Sequence, residues 1–355
     1  MSDAVVSVLG QACRLDELSV AEWSELVRQA RRADLLGRIA GMAVHRPTAA
    51  GVPVGALAHL RAAEVQVRAQ RESVLREVGF ITRALAPLDI PIIFLKGAAY
   101  VLSDLPPARG RTFSDIDILV PQDSLPQVES ALMLAGWRST HSDPYDQRYY
   151  RVWMHELPPF QHLRRQSVLD VHHAILPRTA RLKPDSGLLR AAAVTVAGRV
   201  QVLCPVDMVL HSMTHLFHNE EFSHGLRDLS DLDLLLRHFG RQPAFWPDLL
   251  DRAQQLTLTR PLFYGLRYTR QALGTPVPGE ILRQSETGGP STWLWPVMDG
   301  LWRRVLRSPH PHAADGWTSL ARFLLYLRAH WLKMPPQLLL PHLLRKACRR
   351  VDRKA

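Results

Sequence analysis

The predicted architecture depends on PIIFLKGAAYVLSDLPPARGRTFSDIDILV, residues 91–120. Residues 91–95 are an apolar run of strand length, Gly97 permits a sharp turn, and residues 98–102 suit the start of a helix. Residues 114–120 predict a second strand. Because side chains alternate across a strand, Asp115 and Asp117 share one face and the apolar residues share the other. Asp is depleted in strands, so the pair indicates a specific role.

The whole chain is long and apolar enough for two domains, or for one domain with a helical extension, at 355 residues and 46% hydrophobic composition. Its formal net charge is +11, from 44 Lys and Arg against 33 Asp and Glu. Such a charge attracts nucleotides, polyphosphates, nucleic acid or an anionic lipid surface. Charge alone does not choose among these partners.

The cysteines and the N-terminus predict a cytoplasmic protein. Cys13, Cys204 and Cys348 are far apart and form no CxxC motif, which favours a reducing compartment. The N-terminus has no cationic leader followed by an apolar core, and no window reaches about 18 uninterrupted apolar residues. We therefore expect neither export nor a transmembrane segment.

The first half of the chain predicts helices followed by strands. Apolar residues recur at helical spacing over residues 14–45 and 55–86, joined by a loop that contains Pro and Gly at 45–53. Residues 122–135 predict a helix that Gly136 would end. Strand-like composition follows from Trp137, and the predicted strands lie at 148–155, 160–164 and 167–172.

The second half is helical in pattern nearly to the end. The candidate helices lie at 206–217, 226–239, 245–256, 261–273, 292–306, 317–332 and 338–351. Residues 274–290 are rich in Gly, Pro, Ser and Thr and predict a flexible linker. We predict four segments: an N-terminal helical part at 1–87, the strand-containing part at 88–204, a helical part completing a cleft at 205–273, and a basic, Trp-rich helical part at 274–355.

A third acidic residue lies inside a predicted strand at 167–172, where alternation places Asp170 and His172 on one face. Transfer of a nucleotidyl or phosphoryl group faces an anionic substrate, whose charge divalent cations usually offset. Mg²⁺ prefers oxygen ligands, which Asp115, Asp117 and Asp170 would provide. Lys96 would add a positive charge, and amides after Gly97 would hold a phosphate at a helix N-terminus.

These motifs resemble the DNA polymerase β-type nucleotidyltransferase superfamily, in which a glycine turn after a strand precedes an hDhDh strand and a third acid on a later strand. The segments LKGAA at 95–99, Arg111 before SDIDILV at 114–120, and LDVH at 169–172 are similar to a bacterial group of largely uncharacterised nucleotidyltransferases. The resemblance covers roughly residues 88–240. It implies an α+β fold, with a small mixed sheet as the catalytic core between N-terminal helices and a large C-terminal helical region.

The resemblance also implies roles for particular residues. Asp115, Asp117 and Asp170 would be catalytic ligands of Mg²⁺ or Mn²⁺, and a nucleoside triphosphate would be the substrate. The resemblance implies a phosphate-contacting turn at Gly97, and our hypothesis adds Lys96 and Arg111 as further phosphate contacts. It also implies that His211, His215 and Asp231, on later helices, lie behind the site. His172 joins them in our hypothesis because it shares the strand face of Asp170.

The chain departs from the superfamily at the turn, where Ala98 follows Gly97 and provides no hydroxyl for a phosphate. A protein that keeps the fold as a binding or scaffolding module without turnover is therefore an alternative. The acceptor is not identified by any motif. Nucleic acid is a possible but less favoured partner. P-loop, dinucleotide-binding and nucleophile-elbow motifs are absent from the sequence.

Structural roles compete with these assignments. Asp115 and Asp117 would alternatively cap a loop, Asp170 would pair with Arg111 as a buried acid, and Lys96 would only neutralise the acids. The histidines would be core residues, as the absence of HExxH at His211 and His215 favours. Asp231 could reach the cleft, whereas Asp228 and Asp233 are predicted to be solvated.

The C-terminal part has many tryptophans and ends in a basic tail. Tryptophan packing between helices with a solvated cationic tail is the favoured interpretation. The alternative is weak contact with a membrane surface, or RNA binding. The residues concerned are Trp293, Trp295, Trp302, Trp317 and Trp331, with Arg345, Lys346, Arg349, Arg350, Arg353 and Lys354 in the tail.

Overall fold

The computed structural model describes residues 3–44, 51–141, 143–335 and 337–339. Most of the loop predicted at 45–53 lies outside these residues. So do Cys348, the basic tail, and the helix predicted at 338–351 apart from its first two positions.

The chain has the predicted α+β fold, with one seven-stranded mixed sheet and helices on both sides of it in the sequence. The spatial order of the strands is β3-β4-β5-β2-β1-β7-β6. The strands are β1 (Ile92–Leu95), β2 (Asp115–Leu119), β3 (Trp137–Ser139), β4 (Phe160–His162), β5 (Val168–His172), β6 (Val194–Ala197) and β7 (Val200–Val202).

The helices before and between the strands are α1 (Ala4–Leu9), α2 (Val20–Arg32), α3 (Leu36–Ala43), α4 (Val54–Leu85), α5 (Lys96–Leu102), α6 (Leu125–Leu134), α7 (Pro144–Arg148) and α8 (Ser186–Ala191). Those after the sheet are α9 (Pro205–His218), α10 (Gly225–Phe239), α11 (Phe245–Gln255), α12 (Thr259–Leu273), α13 (Gly279–Ser285), α14 (Trp295–Val305) and α15 (Thr318–Lys333). Short 3₁₀ turns lie at Leu15–Glu17, Ala86–Leu88, Pro106–Ala108, Gln122–Ser124, Glu286–Gly288, Thr292–Leu294 and Pro311–Ala313.

Local chemistry sets several helix ends. Ser19 and Glu22 form a capping box at the start of α2. Asp34 has a positive φ of 55°, so the first predicted helical segment is two helices, α2 and α3. Gly136, with φ of 92°, follows α6 as predicted.

The centre of the sheet fixes the position of the acidic residues. β1 is buried along its whole length and pairs antiparallel with β2 and parallel with β7. β2 in turn pairs parallel with β5. Because the polypeptide reverses direction between β1 and β2 but not between β2 and β5, the two Asp-bearing strands run side by side in the same direction.

Two predicted segments are wrong. The strand predicted at 148–155 is helical, because Asp143 accepts hydrogen bonds from the amides of Tyr145 and Asp146 and Pro144 opens α7, which continues into a π-helix at Tyr149–Trp153. The linker predicted at 274–290 contains α13, and its Ile281 side chain is buried in the main core.

A single apolar cluster extends from Val74 to Ile281 and joins the sheet to the helices that follow it. A second cluster is formed mainly by α1 to α3, and a third by α9, α12, α14 and α15. The division of the chain at 87, 204 and 273 stays a prediction. Within the described residues, no helix is long and apolar enough to cross a membrane.

Candidate functional site

Two carboxylates lie side by side on neighbouring strands. Asp117 of β2 is in register with Asp170 of β5, and Leu119 is in register with His172. Residues directly opposite each other in a parallel pair point to the same sheet face. One ligand atom from each of Asp117, Asp170 and His172 lies within 4.8 Å of the others. The sheet therefore assembles the acidic cluster that the sequence predicts for these two aspartates.

Asp117 is buried, with 3% of its surface exposed, and its Oδ1 accepts two hydrogen bonds. Lys96 Nζ donates at 2.7 Å and His172 Nε2 lies at 2.9 Å. Lys96 reaches Asp117 because it directly follows Leu95, which is in register with Asp117. Burial alone would raise the pKa of Asp117, but the Lys96 ammonium and His172 hold that pKa well below its usual range. Asp117 is thus an ionised carboxylate.

His172 bridges two carboxylates. Its Nε2 contacts Asp117, and its Nδ1 lies 3.2 Å from Oε2 of Glu156. Burial lowers the pKa of His172, but the hydrogen bond to Asp117 and the charge of Glu156 outweigh it, and the net pKa is raised. With an acceptor at each ring nitrogen, the imidazolium form satisfies both contacts. This fixes the ring and therefore the position of Asp117.

Asp170 has the opposite electrostatic environment. Among the described residues its Oδ1 is a buried oxygen without a hydrogen-bond partner. Burial, and then the negative charges of Asp117 and Glu156, raise the pKa of Asp170 to about 7. Asp170 does not pair with Arg111, so the competing interpretation as a salt-bridged structural acid has no support from the contacts of its side chain.

Asp115 lies at the edge of this cluster. It is two residues before Asp117 on the same strand, so it shares the sheet face. It is half-buried and its Oδ1 accepts a hydrogen bond of 3.0 Å from Ser114 Oγ. Asp115 is not a member of the close group formed by Asp117, Asp170 and His172.

The turn after β1 differs from the prediction. The positive φ belongs to Lys96, at 44°, and Gly97 is already inside α5. Gly97 is instead required by packing, because a Cβ atom there would lie 2.2 Å from Cδ1 of Phe113. The backbone strain therefore positions the Lys96 side chain, while the glycine admits the Phe113 ring.

Arg111 is anchored in a buried ionic network. It forms an ion pair with Oδ2 of Asp231, whose Oδ1 lies 2.7 Å from Nη2 of Arg38. The Arg111 guanidinium also lies 5.7 Å from the ring centroid of Tyr100 and 5.5 Å from that of Phe113. Burial lowers the pKa of Arg111 to about 10. Asp231 thus holds Arg111 in place and connects α3 to α10.

His211 and His215 lie on α9. Burial, followed by the positive charge of Lys96, lowers the pKa of both histidines, that of His215 to about 3. Both are therefore neutral. Tyr100 Oη lies 2.7 Å from Ser212 Oγ, which ties α5 to the same helix.

Two aspartates predicted to be solvated are not. Asp233 is 6% exposed, accepts from Arg237 Nε at 2.7 Å and accepts from Thr275 Oγ1 at 2.6 Å. Asp228 is half-buried and lies 3.0 Å from Arg227 Nη2. Their hydrogen-bond and ion-pair partners come from the same helix or from residue 275. Helical spacing alone does not predict that these two carboxylates are paired.

Glu156 and His155 are site residues that the sequence analysis missed. Glu156 forms an isolated antiparallel bridge with His172, and the His155 ring centroid is 5.2 Å from that of His172. The only local signal was an acidic residue next to histidine before the Pro158-Pro159 turn.

The donor set fits a hard divalent cation. Asp117 and Asp170 provide closely spaced carboxylate oxygens, and a cation would satisfy the unpaired Asp170 Oδ1 and offset the charge that raises its pKa. Lys96 and His172 offset only the Asp117 side of the cluster.

A family model described as "Uncharacterised nucleotidyltransferase" matches residues 19–274, which include every site residue described above. No curated protein and no solved structure matches the chain.

Proposed function

Because the chain belongs to the uncharacterised nucleotidyltransferase family, we propose that it transfers a nucleoside monophosphate from a nucleoside triphosphate to a hydroxyl or similar acceptor, with a divalent cation. The observation that carries the cation requirement is the register pair of Asp117 and Asp170 with the unpaired Asp170 oxygen. We also assign the chain to the DNA polymerase β-type superfamily and to the cytoplasm.

Asp117 and Asp170 would hold the cation, Mg²⁺ or Mn²⁺, with Asp115 at the edge of the same face. When bound, such a cation offsets the charge of the phosphates and aligns the reacting oxygens. The protein's own contribution is to keep Asp117 ionised and fixed through Lys96 and His172. Glu156 contributes by orienting the His172 ring.

Asp170 is the group assigned to the acceptor proton. A carboxylate has two oxygens, so Asp170 can hold the cation through one of them and accept a proton from the acceptor hydroxyl with the other. In the proposed reaction, Asp170 accepts the proton of the acceptor hydroxyl as that oxygen attacks the α-phosphorus and pyrophosphate leaves.

The phosphates would meet positive charge from two sides. Lys96 remains protonated, because the Asp117 carboxylate outweighs burial and raises the pKa of its ammonium. Its side chain is 20% exposed, and its Nζ lies 2.7 Å from Oδ1 of Asp117. Arg111, 10% exposed, adds a guanidinium that Asp231 holds in place. Gly97 leaves room for Phe113 at this wall of the site.

Transfer of label from each of the four α-labelled nucleoside triphosphates tests the proposal. Purified protein is incubated with Mg²⁺ or Mn²⁺ and a metabolite and protein extract, and products are separated and identified by mass spectrometry. We expect label transfer and pyrophosphate release by the wild type. Asp117→Asn and Asp170→Asn should each reduce both by at least about a hundredfold, since each removes a group that acts in the transition state.

Asp123→Asn is the matched control, because Asp123 is an exposed carboxylate just beyond the same strand. It should transfer label at the wild-type rate. Label transfer by Asp117→Asn at the control rate would contradict the catalytic assignment. Binding of nucleotide by the wild type without any product would instead support the alternative of a binding protein without turnover.

A further inference from the structure

Helix α15 is apolar on both sides. Its inward side packs into the third apolar cluster through Ala321 and Leu325, each 1% exposed. The opposite side, 180° around the helix, would ordinarily carry charged and polar residues. A helix that is apolar on two sides is expected to be covered on both.

Six large apolar side chains, five on the outward side of the helix and one, that of Trp317, directly before it, form a surface without charge. They follow spacings of three and four residues, so they form one stripe along the helix. We call this stripe the α15 apolar face. Its members, with their exposed fractions, are Trp317 (65%), Leu320 (44%), Phe323 (55%), Leu324 (39%), Leu327 (43%) and Trp331 (49%).

This face corrects the favoured interpretation of the C-terminal tryptophans. Trp302 is packed in the core at 1% exposure, as that interpretation expects. Trp317 and Trp331, at the two ends of the face, are instead open to solvent. Tryptophan and leucine on one side of a helix are typical of segments that lie in the interface of a bilayer.

The charged side chains of helix α15 itself are all positive, and Asp315 and Glu220 are acidic neighbours of the face. Helix α15 contains no Asp or Glu. Its Arg328 and Lys333 are used inside the protein, where Arg328 Nη1 donates to the Phe217 carbonyl and Lys333 pairs with Glu220. At one end of the face the Arg181 guanidinium lies 4.3 Å from the Trp331 ring centroid.

The sequence after the helix adds more positive charge. Residues 345–354 contain six Lys or Arg and one Asp. This segment begins 14 positions after Trp331 in the sequence. Apolar insertion together with a polybasic segment is the combination that gives stable attachment to anionic lipid.

We propose that the α15 apolar face binds the surface of an anionic phospholipid bilayer. The chain would lie on the membrane, with the tryptophans at the level of the headgroups and the basic residues against their phosphates. Charge favours this occupant over a second copy, because two chains of net charge +11 would bring like charges together at the same face. The inference does not depend on the proposed enzymatic function.

Vesicle flotation of the full-length chain tests this proposal. Vesicles of phosphatidylcholine alone are compared with vesicles containing 30 mol% phosphatidylglycerol, as a working composition, at low and high salt. We expect binding to the anionic vesicles, weakened by salt. The double variant Leu320→Glu/Leu327→Glu should lower the partition coefficient by at least about tenfold, because it places two charges in the apolar layer.

The matched control is Val65→Glu/Leu134→Glu, which adds the same charge at two exposed apolar positions away from α15, where the side chains are 65% and 91% exposed. It should bind like the wild type, and circular dichroism checks that both variants fold. Equal binding by the two double variants would overturn the assignment of the face. Failure of the wild-type protein to bind any vesicles would also overturn the membrane proposal. If the wild type forms a dimer that Leu320→Glu/Leu327→Glu dissociates, the face is covered by a second copy of the chain instead.

Discussion

Replacing Asp170 with Asn should stabilise the protein when no divalent cation is present. In the folded state Asp170 Oδ1 has no hydrogen-bond partner and the charges of Asp117 and Glu156 are close. Together with burial they raise the pKa of Asp170 from 3.8 to about 7. A rise of this size corresponds to an upper limit on the order of 4 kcal/mol of unfolding free energy above pH 7.

The sign follows from proton binding. Because the folded-state pKa is higher than the unfolded-state pKa, the folded state binds more protons between about pH 4 and pH 7. The stability that this group contributes is full below about pH 4 and is lost as the pH rises through 7. Asp170→Asn should therefore exceed the wild type in stability at pH 8 in EDTA, and the gain should shrink at pH 5.

Urea unfolding followed by tryptophan fluorescence measures the effect at pH 5 and pH 8, in EDTA and in excess Mg²⁺. Mg²⁺ should raise the unfolding free energy of the wild type and leave that of Asp170→Asn nearly unchanged, since the variant lacks one carboxylate ligand. Asp123→Asn, an exposed site, is the control and should follow the wild type. Destabilisation by Asp170→Asn at pH 8 in EDTA, or equal Mg²⁺ stabilisation of both proteins, would refute the reasoning.

Three further substitutions test buried groups, two of them next to the site and the third, His218, at the end of α9. Gly97→Ala should lower the unfolding free energy, measured with urea, by about 1–3 kcal/mol because its Cβ would meet the Phe113 ring. Phe113→Leu in the same chain should recover part of this loss. If the effects of the two substitutions were fully additive, the contact would be contradicted. Asp231→Asn should lower the unfolding free energy, measured in the same way, by about 3–5 kcal/mol because it leaves the buried charges of Arg38 and Arg111 without their carboxylate partner. An unchanged unfolding free energy would argue against this ionic network. Burial lowers the pKa of His218 to about 3, so between that pH and about 6.5 only the unfolded state binds a proton at this residue and the unfolding free energy falls as the pH falls. His218 contributes up to about 1.4 kcal/mol per pH unit to this slope, which His218→Gln should remove. Identical slopes in the wild type and the variant would exclude this contribution of His218.

The sequence predicted the acidic face because strand periodicity is a local property. Alternation places Asp115 with Asp117, and Asp170 with His172, without knowledge of the rest of the chain. The register that brings Asp117 opposite Asp170 is a long-range pairing, which no local pattern contains. Only the family resemblance connected the two strands.

The errors in the predicted secondary structure and site have local physical causes. The aromatic residues at 148–155 favour a strand, whereas the cap formed by Asp143 and Pro144 starts a helix just before them. Because a strand is predicted where the chain is helical, the sequence does not predict that Glu156 lies next to His172. At the turn, the positive φ of Lys96 is an exception to the usual preference of that conformation for glycine, so the sequence favours a turn at Gly97 although the structure has it at Lys96.

Direct titration with Mn²⁺, by calorimetry or electron paramagnetic resonance, tests the central claim that Asp117 and Asp170 form a cation site. Wild-type protein should bind Mn²⁺, and Mg²⁺ should compete for it. Asp117→Asn should weaken Mn²⁺ binding by at least about tenfold. Loss of a residue that only hydrogen-bonds to a metal ligand typically weakens binding by that factor, and loss of the ligand itself should cost more. Asp123→Asn should bind Mn²⁺ as the wild type does. Unchanged Mn²⁺ affinity in Asp117→Asn would contradict the account.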